Sequence, residues 1–289
     1  MAFPLGGAIG NTGNKTVRDT LREICSLQPD WAATNTEAMQ RRGHLIRDIL
    51  PEEIRQMGAE LEVALGVPGT DLGVEGRDGA GAKTEAPWVR IFSREMSPSA
   101  QAGYYVVFHF SRDGSATFIT IGCGSTIWKG GNSANVSEAE LSMRTAWAKS
   151  IILEQFGNLQ PFNDTMELGA TRRLPRQFER STVCACRLSA TDMEENQVHQ
   201  ILVMAASWLR CIYEAQHHGR DLSSGDGAEL VIEDAVAPAR VVRLGGQGFL
   251  LGPKERRAVE ERAMHLASTW LAQKGFKMDP IGWTGIGVT

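Results

Sequence analysis

The sequence predicts an α+β fold: a central mixed or antiparallel sheet flanked by helices, with a small helical appendage at the C-terminal end. Three observations predict it. Apolar residues at helical spacing open the chain and recur in its second half, period-two runs cluster between residues 88 and 121, and Asp113-Gly114 joins two of those runs as a tight turn.

Val17, Leu21, Ile24 and Cys25 fall at i, i+4, i+7 and i+8, one stripe of a helix that stops near Pro29. A second helical region spans Thr36 to Leu65, and Pro51 is expected to interrupt it. Gly66 to Gly81 holds six glycines, which predicts irregular chain able to approach its neighbours closely. Strands are expected at Trp88–Phe92, Gly103–Phe110 and Ser115–Ile121. Ser137 and Glu140 form a capping-box pattern for a helix ending at Gly157, and Thr191 with Glu194 repeats it before the buried stripe of Val198, Ile201, Leu202, Ala205 and Leu209. Between them, Ser181–Leu188 reads as another strand. The expected order is helices, three strands, helix, strand, helix.

Composition bounds the function. With 289 residues and 42% hydrophobic content the chain can build one large domain or two modest ones. No stretch of about 18 apolar residues occurs, and Met1 to Gly10 has no basic leader, so a cytoplasmic protein without a membrane partner is expected. Five cysteines, Cys25, Cys123, Cys184, Cys186 and Cys211, lack framework spacing and read as reduced, mostly buried thiols. The net charge of −4 argues against wrapping DNA by bulk electrostatics. The distribution is uneven, however: Arg172 to Arg187 carries five arginines against Glu179, either a solvated face or a local anion-binding patch.

No phosphate loop of the GxxxxGK[ST] type, no GxSxG elbow and no HExxH pair is present, so no catalytic residue, metal ligand or cofactor is assigned. Gly76, Gly79 and Gly81 open no helix and so do not suit a dinucleotide. Cys184-x-Cys186 lacks a second pair for zinc and fits two thiols on one strand face. His217-His218 suits a helix C-terminus. His109 shares a strand face with Tyr105 and Val107, and reads either as a satisfied core histidine or as a pocket group. A glycine-rich loop with cations, delivered onto a sheet bearing aromatic side chains, suits gripping a polyanion and holding one flat ring.

The ordered combination Val74-Glu75-Gly76-Arg77, Gly79-Ala80-Gly81, Ala86-Pro87-Trp88-Val89, Gly103-Tyr104-Tyr105-Val106-Val107 and Gly122-Cys123-Gly124 resembles the N-terminal DNA-binding domain of the McrB restriction protein and its relatives, over roughly residues 15–215. The resemblance implies a module that recognises modified cytosine, such as 5-methylcytosine, in double-stranded DNA by flipping it into an aromatic pocket, within a restriction or phage-defence system. It implies Trp88 and Phe178 as the pocket's aromatic wall, with Tyr105 and His109 enclosing the base. Arg77, Gly79, Ala80, Gly81 and Lys83 form the DNA-facing loop, and Arg172, Arg173, Arg176 and Arg180 add phosphate contacts. Two positions depart from the family pattern. His109 stands where an apolar residue is found, and Ala80 where an aromatic finger can fill the vacated stack.

The implied domains are 1–220 for DNA binding, 221–247 as a linker, and 248–289 as a helical tail. That tail, through Gly248-Phe249-Leu250, Glu260-Glu261-Arg262-Ala263-Met264 and Lys274-Gly275-Phe276, resembles the start of a nuclease-like domain of the PD-(D/E)XK group. It holds no acid-x-Lys pair, so a separate nuclease or motor protein is the implied partner. Two alternatives stay open: a nuclease subunit whose metal site is completed by assembly, and an interaction scaffold of a defence operon that does not touch DNA.

Overall fold

A computed structural model describes residues 16–129, 132–220, 277–279 and 282–284. The chain divides into two units, Met1–Val231 and Ile232–Thr289. The second is described by a two-stranded antiparallel ribbon, Lys277–Asp279 with Gly282–Thr284. The expected 248–276 part of the nuclease-like tail lies outside the described residues.

The first unit is α+β. Helix α1 (Val17–Leu27) starts on a capping box in which Thr16 and Asp19 satisfy one another's backbone N–H groups, and it buries the predicted stripe. Helix α2 (Glu37–His44) passes into one π-helical stretch, Leu45–Ile49, and then into α3 (Leu50–Gln56) and α4 (Gly58–Leu65). Pro51 does not interrupt the helical region as expected. It sits in the first turn of α3, where a missing N–H is tolerated, and the wider π turn before it absorbs the change in hydrogen bonding.

Five antiparallel strands form the sheet in the order β1-β2-β3-β4-β7: β1 (Leu72–Arg77), β2 (Trp88–Ser93), β3 (Tyr104–Phe110), β4 (Ala116–Cys123) and β7 (Thr182–Ser189). Strand β1 lies within the segment expected to be irregular. Its glycines admit neighbours rather than break structure: a Cβ at Gly76 would stand 1.8 Å from the Ile46 carbonyl oxygen of the π turn, and one at Gly73 would meet the Phe92 ring at 2.5 Å. Beyond β4, a ribbon of β5 (Thr126–Lys129) and β6 (Asn132–Asn135) leads to α5 (Glu138–Phe156). Ser137 caps α5 through the Glu140 N–H, whereas the Glu140 carboxylate turns to Arg144 instead of closing the box.

Helix α6 (Arg173–Arg180), absent from the expected order, precedes β7, and α7 (Glu195–His217) follows it. Thr191 does not cap α7; its hydroxyl bonds Asp192, and Glu194 occupies the cap position without a side-chain hydrogen bond. One sheet face, with Val89, Ile91, Val106, Phe108, Ile119 and Cys184, forms the main core with α1, α3, α5 and α7. The opposite face carries a smaller cluster of Phe118, Met166, Leu168 and Ala185, with Phe178 of α6 against it.

Candidate nucleic-acid interface

Register builds this opposite face into a row. Arg77 pairs with Trp88, Trp88 with His109, His109 with Phe118, and Phe118 with Arg187, so five strands each contribute one side chain to a single line. At about 4.8 Å per strand the line is about 19 Å long. Its ends are exposed arginines and its middle is aromatic. Trp88 is half-buried and His109 buried, and Phe178 lies over His109 with ring centroids 5.3 Å apart and planes at 27°. The structure therefore brings Arg77, Trp88, His109 and Phe178 together.

Tyr105 sits elsewhere on the face. Four residues along β3 from His109, it joins Arg90 and Phe92: the Arg90 guanidinium is 3.7 Å from the Phe92 centroid and 5.5 Å from that of Tyr105, and is held by Glu75 at 2.8 Å. The Tyr105 hydroxyl lies 3.1 Å from the carbonyl oxygens of Ala100 and Cys123.

The loop 78–87 connects β1 to β2 at the Arg77 end of the row. Its base is pinned by Asp78, a buried carboxylate that meets Arg42 at 2.7 Å, Lys83 at 2.6 Å and Arg47 at 3.4 Å. Lys83 thus arrives already paired, and its exposed neighbours Gly79 to Ala82 form the tip. Gly79 and Gly81 take φ of +115° and +78°, the left-handed region that glycine enters without strain. Further on, the buried Glu85 carboxylate accepts from the backbone N–H groups of Thr171 and Arg172, both at 3.0 Å. This carboxylate ties the loop to the start of α6.

On α6, Arg172 at the cap, Arg173, Arg176 and Arg180 are exposed. Arg172 stacks 5.0 Å from the Trp31 centroid, with Arg112 at 5.3 Å, and Arg180 reaches Glu138 at 3.5 Å. Among the described residues no carboxylate pairs with Arg173 or Arg176. Leu174, exposed and apolar, lies one turn before Phe178 on the same side of the helix. Sequence reasoning missed Leu174, Glu85 and the Asp78–Arg42 pair. Only the i, i+4 spacing of Leu174 and Phe178 could have signalled the first.

A cleft of about 1200 Å³ begins where the row reaches Phe118 and Arg187, and extends to Lys149, Phe162 and Asp164. It excludes Trp88, His109 and Phe178, and Asp113, Asp164 and Glu167 offset its three cations, so it does not suit a phosphate chain. Among the described residues no group of three or more His, Cys, Asp or Glu side chains is placed to hold a metal. Burial pushes the Cys184 thiol up to about 12 and Cys186 to about 11, which keeps both protonated on the core face. No helix among the described residues is long and apolar enough to cross a membrane.

A family model, the MrcB-like N-terminal domain, matches residues 26–202, more than half of the chain. The chain belongs to this family. No curated protein and no solved structure gives a significant match. Membership in the MrcB-like N-terminal domain family points to a DNA-binding role in a restriction system. The match spans β1 to β7 and the start of α7, and so contains the whole row, the loop and α6.

Within this MrcB-like domain, burial lowers the His109 pKa to about 3, so its imidazole is neutral at physiological pH. In the unfolded chain the same ring protonates near pH 6.5. Between those values the unfolded state binds more protons. Stability from this group is therefore complete above pH 6.5 and lost as pH falls toward 3, by about 1.4 kcal/mol per unit. Urea unfolding of the wild type and His109→Asn between pH 6.5 and 4.5 measures it: the variant is expected to lose stability less steeply, and parallel profiles would refute a neutral, desolvated imidazole.

Proposed function

We propose that this domain binds double-stranded DNA and holds an extruded modified cytosine between Trp88 and Phe178, above His109, as the recognition module of a modification-dependent restriction or phage-defence system. The observation that supports it most directly is the cross-strand row, aromatic in the middle and cationic at both ends. A flat ring stacks on its centre while phosphates meet its Arg77 end. Extruding a base costs a few kcal/mol, which stacking and phosphate contacts offset.

In this reading Arg77, Arg173 and Arg176 take phosphates, with Arg172 and Arg180 beside them. Lys83 holds the loop's base on Asp78 and adds positive charge there rather than reaching outward. Ala80, at the loop tip, is too small to fill the vacated stack. Leu174, flanked by the two unpaired arginines, is the apolar side chain positioned for that wedge role. A separate nuclease or motor protein supplies cleavage.

Titration of fluorescent duplexes bearing one cytosine, 5-methylcytosine or 5-hydroxymethylcytosine tests the proposal. Tighter binding to at least one modified duplex is expected. Equal binding to all three, or none to any, overturns it.

A further inference from the structure

Resting on that reading of the site, we infer that His109 reads a polar substituent on the extruded base, so that the pocket favours 5-hydroxymethylcytosine over 5-methylcytosine. His109 is 5% exposed, and its Nδ1 is shielded from solvent with no hydrogen-bond partner. Leaving a buried polar atom unpaired is costly, and an apolar side chain of similar size would avoid the cost. The atom stands at the centre of the row, between Trp88 and Phe118 in register and beneath Phe178. Its cross-strand and stacking neighbours, Trp88, Phe118 and Phe178, give it no hydrogen bond. Phe178 is half-buried on a short helix, and a base that enters beside it with its edge toward the imidazole brings its substituents into the plane in which Nδ1 donates or accepts.

The chemistry of the candidate substituents separates them. A methyl group neither donates nor accepts, and packing it here leaves Nδ1 unpaired. A hydroxymethyl group both donates and accepts, so it satisfies the nitrogen in either tautomer of the neutral ring. The exocyclic amine is common to every cytosine, and pairing with it would leave the ratio between bases unchanged.

Duplexes with the three bases are titrated against the full chain, His109→Asn and His109→Leu, with thermal melting to confirm that each variant folds. Asparagine keeps a polar atom near the Nδ1 position, and leucine does not. The wild type is expected to bind the hydroxymethyl duplex about tenfold more tightly than the methyl duplex. His109→Asn should keep most of that preference and His109→Leu should abolish it; His109→Ala replaces the leucine variant should that one fail to fold. If both modified duplexes bind equally well and better than cytosine, or if His109→Leu leaves their ratio unchanged, the inference is wrong and the base-pocket reading stands. If cytosine binds as well as both, the pocket reading fails and this inference with it.

Discussion

Replacing Asp78 with alanine is expected to destabilise the domain by about 3–5 kcal/mol, the usual cost of removing one partner from a buried ion pair. Arg42 is fully buried and gives Asp78 two hydrogen bonds, at 3.1 and 2.7 Å. Its remaining contacts, the Gln28 side-chain oxygen at 2.7 Å and the Thr84 carbonyl at 2.8 Å, are neutral. Without the carboxylate, three cations would face one another at the loop's base: Arg42, Arg47 and Lys83. Chemical denaturation measures the loss, and the Arg42→Met, Asp78→Leu double variant should recover part of it, because it removes the fully buried charge together with its partner and leaves only Lys83 and Arg47 to turn to solvent. A single-variant loss below about 1 kcal/mol would show that water reaches Arg42 readily enough to replace its partner.

Trp88→Ala is expected to weaken binding to the preferred modified duplex by about 10- to 100-fold, the range that one base–aromatic stack contributes in single-base contacts. Binding to unmodified duplex, and its dependence on salt, should stay nearly unchanged, since Trp88 carries no charge. Arg173→Ala with Arg176→Ala should behave oppositely: both duplexes weaken alike, and the slope of log K against log salt becomes shallower by about 1.8, or 0.9 per phosphate contact. Fluorescence anisotropy across a salt series reads both quantities. The tryptophan's proposed place against the base is refuted if Trp88→Ala, folded by its melting curve, weakens modified and unmodified duplexes equally.

Elements with a clean period were legible in the sequence. Helix α1 and strands β2 to β4 lie where their apolar spacing predicts, since each presents one face to a single core. The missed elements lack that signal. In β1, Gly73 and Gly76 look like breaks because a sequence does not show which backbone or ring will press against them. Helix α6 has eight residues, Pro175 and an arginine-rich surface, so its apolar side is a single pair, Leu174 and Phe178, too short to read as a stripe. Thr191 and Glu194 have the spacing of a capping box, yet the hydroxyl finds Asp192 and Ser189 first.

In the candidate row, the motif order singled out Trp88, His109 and Phe178, which the structure places side by side, but only strand register shows that Arg77 and Arg187 end the same row. It also moves Tyr105 away from His109, into the Arg90 cluster. The charged groups were least legible. Asp78, Glu85 and Lys83 look like ordinary surface residues until burial gives them partners. Lys83, expected to reach for phosphate, lies 2.6 Å from Asp78 at the loop's base.

Glu85 has a consequence for exchanging specificity between relatives. The row's tryptophan and the phenylalanine above it are ninety residues apart in sequence, and this carboxylate, hydrogen-bonded to Thr171 and Arg172, joins the segments that carry them, beside the packing of Ala86 and Phe178 in one apolar cluster. Transplanting the 78–87 loop alone would separate the acid from the Thr171 and Arg172 N–H groups and leave it with Arg112, 3.5 Å away, as its remaining partner. Loop and helix act as one cassette, and a chimera that keeps the Glu85 hydrogen bonds has to carry residues 78–88 and 170–180 together.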